Sequence, residues 1–526
     1  MALHSPLKWR LCAQAVAASV LFTALAPATA QVRLPSLGES SNADFSVSTE
    51  KRLGEAIMRE IRRDPDYLDD PVLLAYVQSL WTPLVAAARK RGDIEPEVER
   101  HFALESFLVR DRSVNAFALP GGYVGVHLGL IALTVSGDEL ASVLAHELSH
   151  VTQRHIARSV VSSQRSAMAG LATLLVGILA AARSNSVDVA NAAILGSQGV
   201  AAQGQLNFSR DMEREADRTG YGVLQEAGFT PLGMATMFEK LDSANRINDS
   251  GNFPYLRSHP LTVERMSEAR SRALFNGGAT SVASPLLHAL MQARARVLMD
   301  TDPQTLRRLQ EQAAGVPGAP LRDRVMASYA GALAAAALGQ HAVAERQAQA
   351  TLDALQSVAH QETRAWRAAE LLLVQVRLMA GNPVGALRVL DSLPDLHNAR
   401  PALLLRAQAA MDFQRQVGVG AAPLLREVTE ALQTWVAERP ADAQAWSLLA
   451  GTAQAAGLPL RSLRAQAESR AALGDLNGAI DRLRAGQDLA RTAAGQDFIE
   501  ASVIDARLRE LQAQRRQLVQ EARGEP

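Results

Sequence analysis

One short motif restricts how this chain can fold more than any other feature: His146-Glu147-Leu148-Ser149-His150. On an α-helix, residues four positions apart lie one above the other, so the two imidazoles project from one face toward a common point. An HExxH pair on a helix is a known pattern for binding zinc. Glu147 is placed to act as a general base toward water at such an ion. The motif therefore predicts a helix that carries part of a metal site.

The residues around the motif support this helix. Ser136 and Glu139 have the spacing of a capping box, which marks a helix N-terminus. No Pro or Gly interrupts the turns between Glu139 and the motif, and we expect the helix to run from Ser136 to about Arg158. In such a continuous helix, His155 lies on the side facing away from His146. We therefore expect His155 to be a surface histidine.

A catalytic zinc ion needs three protein ligands and an open fourth position. The continuation HExxHxxGxxH would supply a third histidine, but Gln153 and Ile156 occupy those places, which excludes that class. The third ligand should then come from a separate helix, and Glu213 in the segment 209–217 is the best candidate. Asp217, one turn further on, is well placed to accept a hydrogen bond from a ligand imidazole. The alternative for this segment is a solvated, charge-rich helix.

The start of the chain has the pattern of a secretory signal. Lys8 and Arg10 precede an apolar stretch over 11–27, and Ala28-Thr29-Ala30 forms an A-x-A cleavage site. We expect residues 1–30 to be removed by cleavage near Ala30. The chain's only cysteine, Cys12, lies in this segment, so the mature protein has no thiol. Any metal ion is then bound through nitrogen and oxygen.

Charge and hydropathy limit the partners. Lys and Arg together number 54, as do Asp and Glu, and this balance argues against a nucleic-acid binder, which normally carries a basic excess. The run 167–182 carries no charge but is short for a membrane span. It favours a buried helical arm, or one in peripheral contact with a membrane, over a transmembrane helix.

Strand signals are confined to the region before the motif. Residues from His101 to Val109 alternate in part between apolar and polar, and Tyr123–Val126 is predicted to be the neighbouring strand. Pro120-Gly121-Gly122 is the turn expected between them. These segments predict a small β-sheet in a chain that is otherwise mainly helical.

The composition changes near residue 280, after Gly277-Gly278 and before Pro285. Beyond this point the chain is rich in Ala, Leu, Arg and Gln, and it shows no strand signal. Segments 381–390 and 474–483 share a G-[ND]-x-x-G-A pattern, and 446–457 has the spacing of a tetratricopeptide-repeat helix. We expect a degenerate array of stacked helix pairs with a concave binding surface; the alternative is an Ala-rich helical bundle.

These motifs together resemble those of the M48 metallopeptidases. The HExxH motif followed by Glu-x-x-x-Asp is similar to that family's metal-binding pattern. Ser258-His259-Pro260 with Arg265 is similar to its downstream His-Pro and Arg element. The stretch 115–124 resembles its active-site edge strand, which receives the substrate backbone by strand addition. The residues that this last resemblance assigns to substrate binding are Asn115, Ala116, Phe117 and Ala118.

The resemblance implies one Zn²⁺ per chain and specific roles for the site residues. It implies His146, His150 and Glu213 as ligands, with Glu147 and Asp217 as catalytic residues. His259 matches a histidine with several interpretations: a fourth ligand that keeps the enzyme latent, an oxyanion stabiliser that polarises the substrate carbonyl, or a plain loop histidine. The sequence leaves these open.

The resemblance also implies an architecture and a setting. It implies a cleaved signal peptide (1–30), a zincin-type M48 metallopeptidase domain (31–280) and an all-α, tetratricopeptide-like solenoid (285–526). The subgroup with this organisation acts in the periplasm of Gram-negative bacteria, on misassembled outer-membrane proteins and with the β-barrel assembly machinery. The predicted function is therefore a periplasmic zinc endopeptidase with a chaperone-like repeat domain. The alternatives are a periplasmic chaperone or adaptor with a latent metal site, and a purely structural metal site.

Overall fold

The computed structural model describes residues 45–162, 210–247, 253–275, 281–313, 318–393, 399–492 and 497–523. The predicted signal peptide (1–30), the apolar run 167–182 and the glycine pair at 277–278 lie outside the described residues. The predicted fold class is confirmed: the protein is mainly α-helical, with one small sheet and an all-α C-terminal region.

The helices and strands are numbered here in chain order. The strands are β1 Tyr67–Leu68, β2 Glu105–Val109, β3 Ala116–Leu119 and β4 Tyr123–His127. The helices of the first half are α1 Val47–Ile61, α2 Pro71–Arg91, α3 Pro96–His101, α4 Leu128–Leu133, α5 Gly137–Thr152, α6 His155–Ser162, α7 Arg210–Glu226, α8 Leu232–Ile247, α9 Pro254–Ser258 and α10 Val263–Phe275. Those of the second half are α11 Pro285–Leu298, α12 Pro303–Gln312, α13 Leu321–Ala337, α14 His341–Leu355, α15 Thr363–Met379, α16 Pro383–Asp391, α17 Arg400–Val417, α18 Ala422–Glu438, α19 Ala443–Ala455, α20 Pro459–Ala472, α21 Leu476–Thr492 and α22 Phe498–Arg523.

The sheet has the strand order β1-β2-β4-β3, which leaves β3 at an edge. Strands β2 and β4 are parallel neighbours, with Glu105 opposite Tyr123, whereas β3 and β4 are antiparallel. The expected strand over 101–109 is therefore too long, because α3 ends at His101. The expected turn is also misplaced: Pro120–Gly122 joins β3 to β4 in a hairpin and does not join β2 to β4.

Helix α5 carries the HExxH motif through the centre of the first half. Its N-terminus is capped as predicted, since the Ser136 side chain accepts a hydrogen bond from Glu139 N and the Glu139 carboxylate accepts one from Val135 N. Leu140, Leu144 and Leu148 are fully buried in the main hydrophobic core. The predicted continuation to Arg158 is wrong, because α5 ends at Thr152 and a new helix, α6, starts at His155.

The second half consists of helices that pack in sequence against their neighbours. The G-[ND]-x-x-G pattern marks the turns between them. Gly381 follows α15 with φ of 70°, a left-handed conformation that a residue without Cβ adopts at no steric cost. Asn382 then caps α16, its Oδ1 accepting from Gly385 N at 2.8 Å. Gly474 and Asp475 do the same between α20 and α21. The pattern therefore combines a C-terminal glycine that ends one helix with an N-cap residue that begins the next.

The two halves share buried contacts. The main hydrophobic core extends from α1 to α17. Arg294 of α11 is almost completely buried and forms two bonds of 2.7 Å with the carboxylate of Asp70, which also caps α2. Helix α2 is long and apolar enough to cross a membrane by length and composition, but Leu73, Val77 and Leu84 on it are fully buried in this core. These contacts fix α2 as a core helix between α5 and the C-terminal helices.

Candidate active site

Helix α5 presents three functional side chains to one buried point. His146, Glu147 and His150 are each 2% exposed or less. The Nε2 atoms of the two histidines are 3.0 Å apart, as the spacing of four residues on a helix predicts. Burial holds the pKa of His150 well below its usual value, so this imidazole is neutral and available as a metal ligand.

Helix α7 brings Glu213 to the same point. Its carboxylate oxygens lie 3.5 Å from His146 Nε2 and 3.5 Å from His150 Nε2. The approach of α7 to α5 depends on Gly220, because a Cβ there would lie 3.1 Å from the backbone of Ala145 and His146. The small residue at 220 thus lets the two helices pack closely enough for a carboxylate on one to meet the imidazoles on the other.

A chain of hydrogen bonds continues from His146 to helix α10. Asp217 Oδ1 lies 2.9 Å from His146 Nδ1, and Arg265 donates to both oxygens of Asp217 at 2.6 and 2.8 Å. Arg265 Nη1 also lies 2.9 Å from Glu213 Oε2. Burial would raise the pKa of both carboxyls, but His259 and His146 hold the pKa of Glu213 below its usual range, and Arg265 and His146 do the same for Asp217. For His146, burial lowers the pKa, but its hydrogen bonds with Asp217 and Glu213 raise it to about 9.

His259 occupies the position between the ligand atoms and Glu147. Its Nδ1 lies 3.1 Å from Glu213 Oε1 and 3.4 Å from His146 Nε2, and its Nε2 lies 3.5 Å from Glu147 Oε1. The side chain is 2% exposed, and its ring packs on the buried ring of Tyr255, with 4.7 Å between centroids. His259 is therefore a member of the buried cluster and not a plain surface loop residue.

The carboxylate of Glu147 is completely buried, and within the described residues its two oxygens accept no well-formed hydrogen bond. Burial raises its pKa, which suits a group that accepts a proton. The backbone N–H of Ala118 approaches this carboxylate, so edge strand β3 runs beside it. Phe117 and Ala118 are partly exposed on β3, whereas Asn115 and Ala116 are buried.

The expectation that His155 is a surface histidine is wrong. Its side chain is completely buried, and its Nδ1 lies 2.8 Å from Nδ1 of His150. The physical reason is the helix break: Arg154 adopts a left-handed conformation with φ of 50°, and the chain turns back toward His150. His155 Nε2 lies 3.1 Å from Glu215 on α7.

Comparison with known proteins shows which family has this combination of residues. The model of Peptidase family M48 matches residues 94–273. The Beta-barrel assembly-enhancing protease of Yersinia pestis is 32% identical over 483 residues, which cover 92% of each chain. The chain belongs to the M48 family of peptidases. The protein of the same name from Escherichia coli (strain K12) is 37% identical over 269 residues, 51% of this chain and 53% of that one. Metalloprotease LoiP of the same strain is 31% identical over 32% of this chain and 61% of its own.

The donor set fits the metal that M48 peptidases use. His146, His150, Glu213 and His259 each offer one ligand atom, and these atoms lie within 4.8 Å of one another. Nitrogen and oxygen ligands held at about 2.0–2.1 Å from a tetrahedral zinc ion are about 3.3 Å apart. The separations measured here, 3.0 to 3.5 Å, match that spacing. The geometry of the group is therefore compatible with a bound metal ion.

The structure thus places the residues named from the sequence within one buried cluster, with the β3 segment beside it. Sequence reasoning missed the contact of His155 with His150, and it named Arg265 without its ion pairs to Asp217 and Glu213. It also missed Tyr255, whose ring lies against His259. A histidine five residues after the HExxH motif, followed later by Glu215, is the signal that could have identified His155.

Proposed function

We propose that this chain is a zinc endopeptidase in which His146, His150 and Glu213 hold the ion. The single observation that carries the proposal is the buried convergence of these three side chains beside the carboxylate of Glu147. Zinc bound there would polarise the scissile carbonyl and lower the pKa of water. Asp217 fixes the orientation of His146 by accepting from Nδ1, so that Nε2 faces the ligand cluster.

Glu147 acts as the general base in this proposal. Its carboxylate has a raised pKa and little competition for its lone pairs, so it can accept a proton from the attacking water. It then delivers that proton to the leaving amine. Edge strand β3 binds the substrate backbone by strand addition, because its outer edge is unpaired in the described sheet and it lies beside Glu147.

His259 restrains this site in the resting enzyme. Its Nδ1 lies at hydrogen-bonding or ligand distance from Glu213 and His146, while Nε2 faces Glu147. In this position, within 3.5 Å of Glu213, His146 and Glu147, the ring would obstruct a substrate carbonyl that approaches the ion. This geometry supports a fourth ligand and latency gate over an oxyanion stabiliser, which would have to lie further from the ligand atoms.

The cellular role is proposed from the relatives. Two of them are named beta-barrel assembly-enhancing proteases, and one aligns over 92% of this chain. We propose that the chain is exported by its signal peptide (1–30), and that its peptidase domain (31–280) cleaves misassembled outer-membrane proteins in the periplasm. The helices of 285–526 act as a tetratricopeptide-like surface that holds the client or the β-barrel assembly machinery, and 167–182 contacts the membrane periphery.

The test is the Glu147→Gln variant with a misassembled β-barrel protein as substrate. The variant should keep its zinc and lose cleavage, whereas Glu239→Gln, an exposed carboxylate on α8, should behave as wild type. Wild-type cleavage by Glu147→Gln contradicts the proposed mechanism. If Glu147→Gln fails to cleave but still fully supports barrel assembly in cells, the chaperone or adaptor reading replaces proteolysis as the main role.

A further inference from the structure

The two histidines of the HExxH motif are held in different ways. His146 Nδ1 contacts the carboxylate of Asp217 directly, at 2.9 Å. His150 Nδ1 instead faces a second imidazole, that of His155, at 2.8 Å, and the two rings are nearly perpendicular. His155 Nε2 then lies 3.1 Å from Glu215 Oε2. Each of the two histidines is therefore connected to a carboxylate of helix α7. His146 contacts Asp217 directly, whereas His150 is connected to Glu215 through the ring of His155.

The proton positions follow from the geometry. His150 directs Nε2 toward Glu213 and His146, so a neutral His150 carries its proton on Nδ1 and donates to His155 Nδ1. His155 must then carry its own proton on Nε2, where Glu215 accepts it. The three side chains form one line of hydrogen bonds with a single consistent assignment of protons, and this line fixes the tautomer of His150.

The backbone and its surroundings hold His155 in place. Arg154 has the left-handed φ of 50° that breaks the helix just before His155. Its buried guanidinium is bound to Glu50 at 3.1 Å and to the carbonyl of Phe45 at 2.7 Å, both outside the metal site. Arg158, one turn into α6, donates to the same Glu215 oxygen at 2.8 Å. The turn is therefore anchored at both ends, and these contacts offset the cost of a left-handed conformation at a non-glycine residue.

We propose that His155 is a positioning residue for the metal site, which orients His150 through Nδ1 and is itself oriented by Glu215. The inference rests on the proposed zinc site. His155 touches neither substrate nor ion, and its effect is on the affinity and geometry of metal binding. Groups that orient ligand imidazoles in this way typically contribute about 10–100-fold to metal affinity.

The experiment uses the full-length chain loaded with zinc or with Co²⁺. The zinc dissociation constant, measured by competition with a chromophoric chelator, should rise about 10–100-fold in His155→Ala. The visible absorption bands of the Co²⁺ protein should shift as His150 loses its fixed orientation. His155→Asn should recover most of the affinity, because its amide oxygen can accept where Nδ1 stood. Glu215→Gln should have a smaller effect, because its amide oxygen can still accept.

His288→Ala is the matched control. His288 is also completely buried and also makes two hydrogen bonds, with Tyr76 OH and Thr134 O, but it lies outside the metal cluster. Equal losses of zinc affinity in His288→Ala and His155→Ala would show a general packing defect and overturn the proposal. The proposal would also be overturned if a folded His155→Ala variant bound zinc with wild-type affinity, or if His155→Asn did not recover the affinity lost in His155→Ala. A wild-type chain whose zinc affinity depends on His155 but that cleaves nothing would contradict the proposed function alone.

Discussion

Replacement of Arg265 by Met is the sharpest test of how the charges of the site are balanced. Arg265 is 4% exposed, and its guanidinium contacts Asp217 twice, at 2.6 and 2.8 Å, and Glu213 once, at 2.9 Å. It also donates to the carbonyl of Pro260 at 2.8 Å. Arg265→Met keeps the aliphatic stem and the helix propensity of the side chain but removes the guanidinium that pairs with both buried carboxylates.

The expected cost follows from this burial. Removing one partner of a buried ion pair costs about 3–5 kcal/mol, because the remaining charge stays in a poorly solvated environment. Arg270 lies on the same helix, and its pair with Glu239 is exposed, so Arg270→Met should cost about 1 kcal/mol or less. The assay is urea unfolding of the chelated full-length chain, followed by tryptophan fluorescence. Nearly equal losses of unfolding free energy in the two variants would refute the reasoning.

The same site makes three further predictions. His259→Ala should raise basal cleavage of an unfolded substrate, and unchanged or lower cleavage would exclude the gate. Because the pKa of His146 is raised to about 9 and zinc binds the neutral ring, zinc binding should release a proton at neutral pH. The apparent affinity for zinc should then increase with pH up to about 9 and level off above it. Calorimetry in buffers of different ionisation enthalpy measures the number of protons released. Zinc binding without proton release would contradict the prediction. Ala118→Pro removes the N–H beside Glu147 and should lower kcat/KM about tenfold with unchanged zinc content; full activity would contradict the role of β3.

Local periodicity explains what the sequence alone could predict. The spacing of His146 and His150 and the cap at Ser136 depend on interactions within a few turns, and the structure has both. The paired glycine patterns near 381 and 474 likewise reflect local turn chemistry.

The errors have a different physical origin. The break of α5 before His155 depends on a left-handed Arg154 that is anchored by Glu50, 104 residues away in sequence. Strand β4 lies beside β2 as predicted, but the two strands are parallel, because Pro120–Gly122 joins β3 to β4 and not β2 to β4. Arg265 and Asp217 are 48 positions apart, so their ion pair depends on the packing of α7 against α10. Such contacts are set by tertiary structure.

The metal content of the purified full-length protein tests the central claim most directly. Elemental analysis should find one zinc ion per wild-type chain, and none in His146→Ala or Glu213→Ala. His288→Ala, a buried histidine outside the cluster, should retain the ion. Loss of zinc should abolish cleavage, and added zinc should restore it in the wild type only. A wild-type protein without zinc, or a His146→Ala variant that keeps its full zinc content, would contradict the assignment of this site.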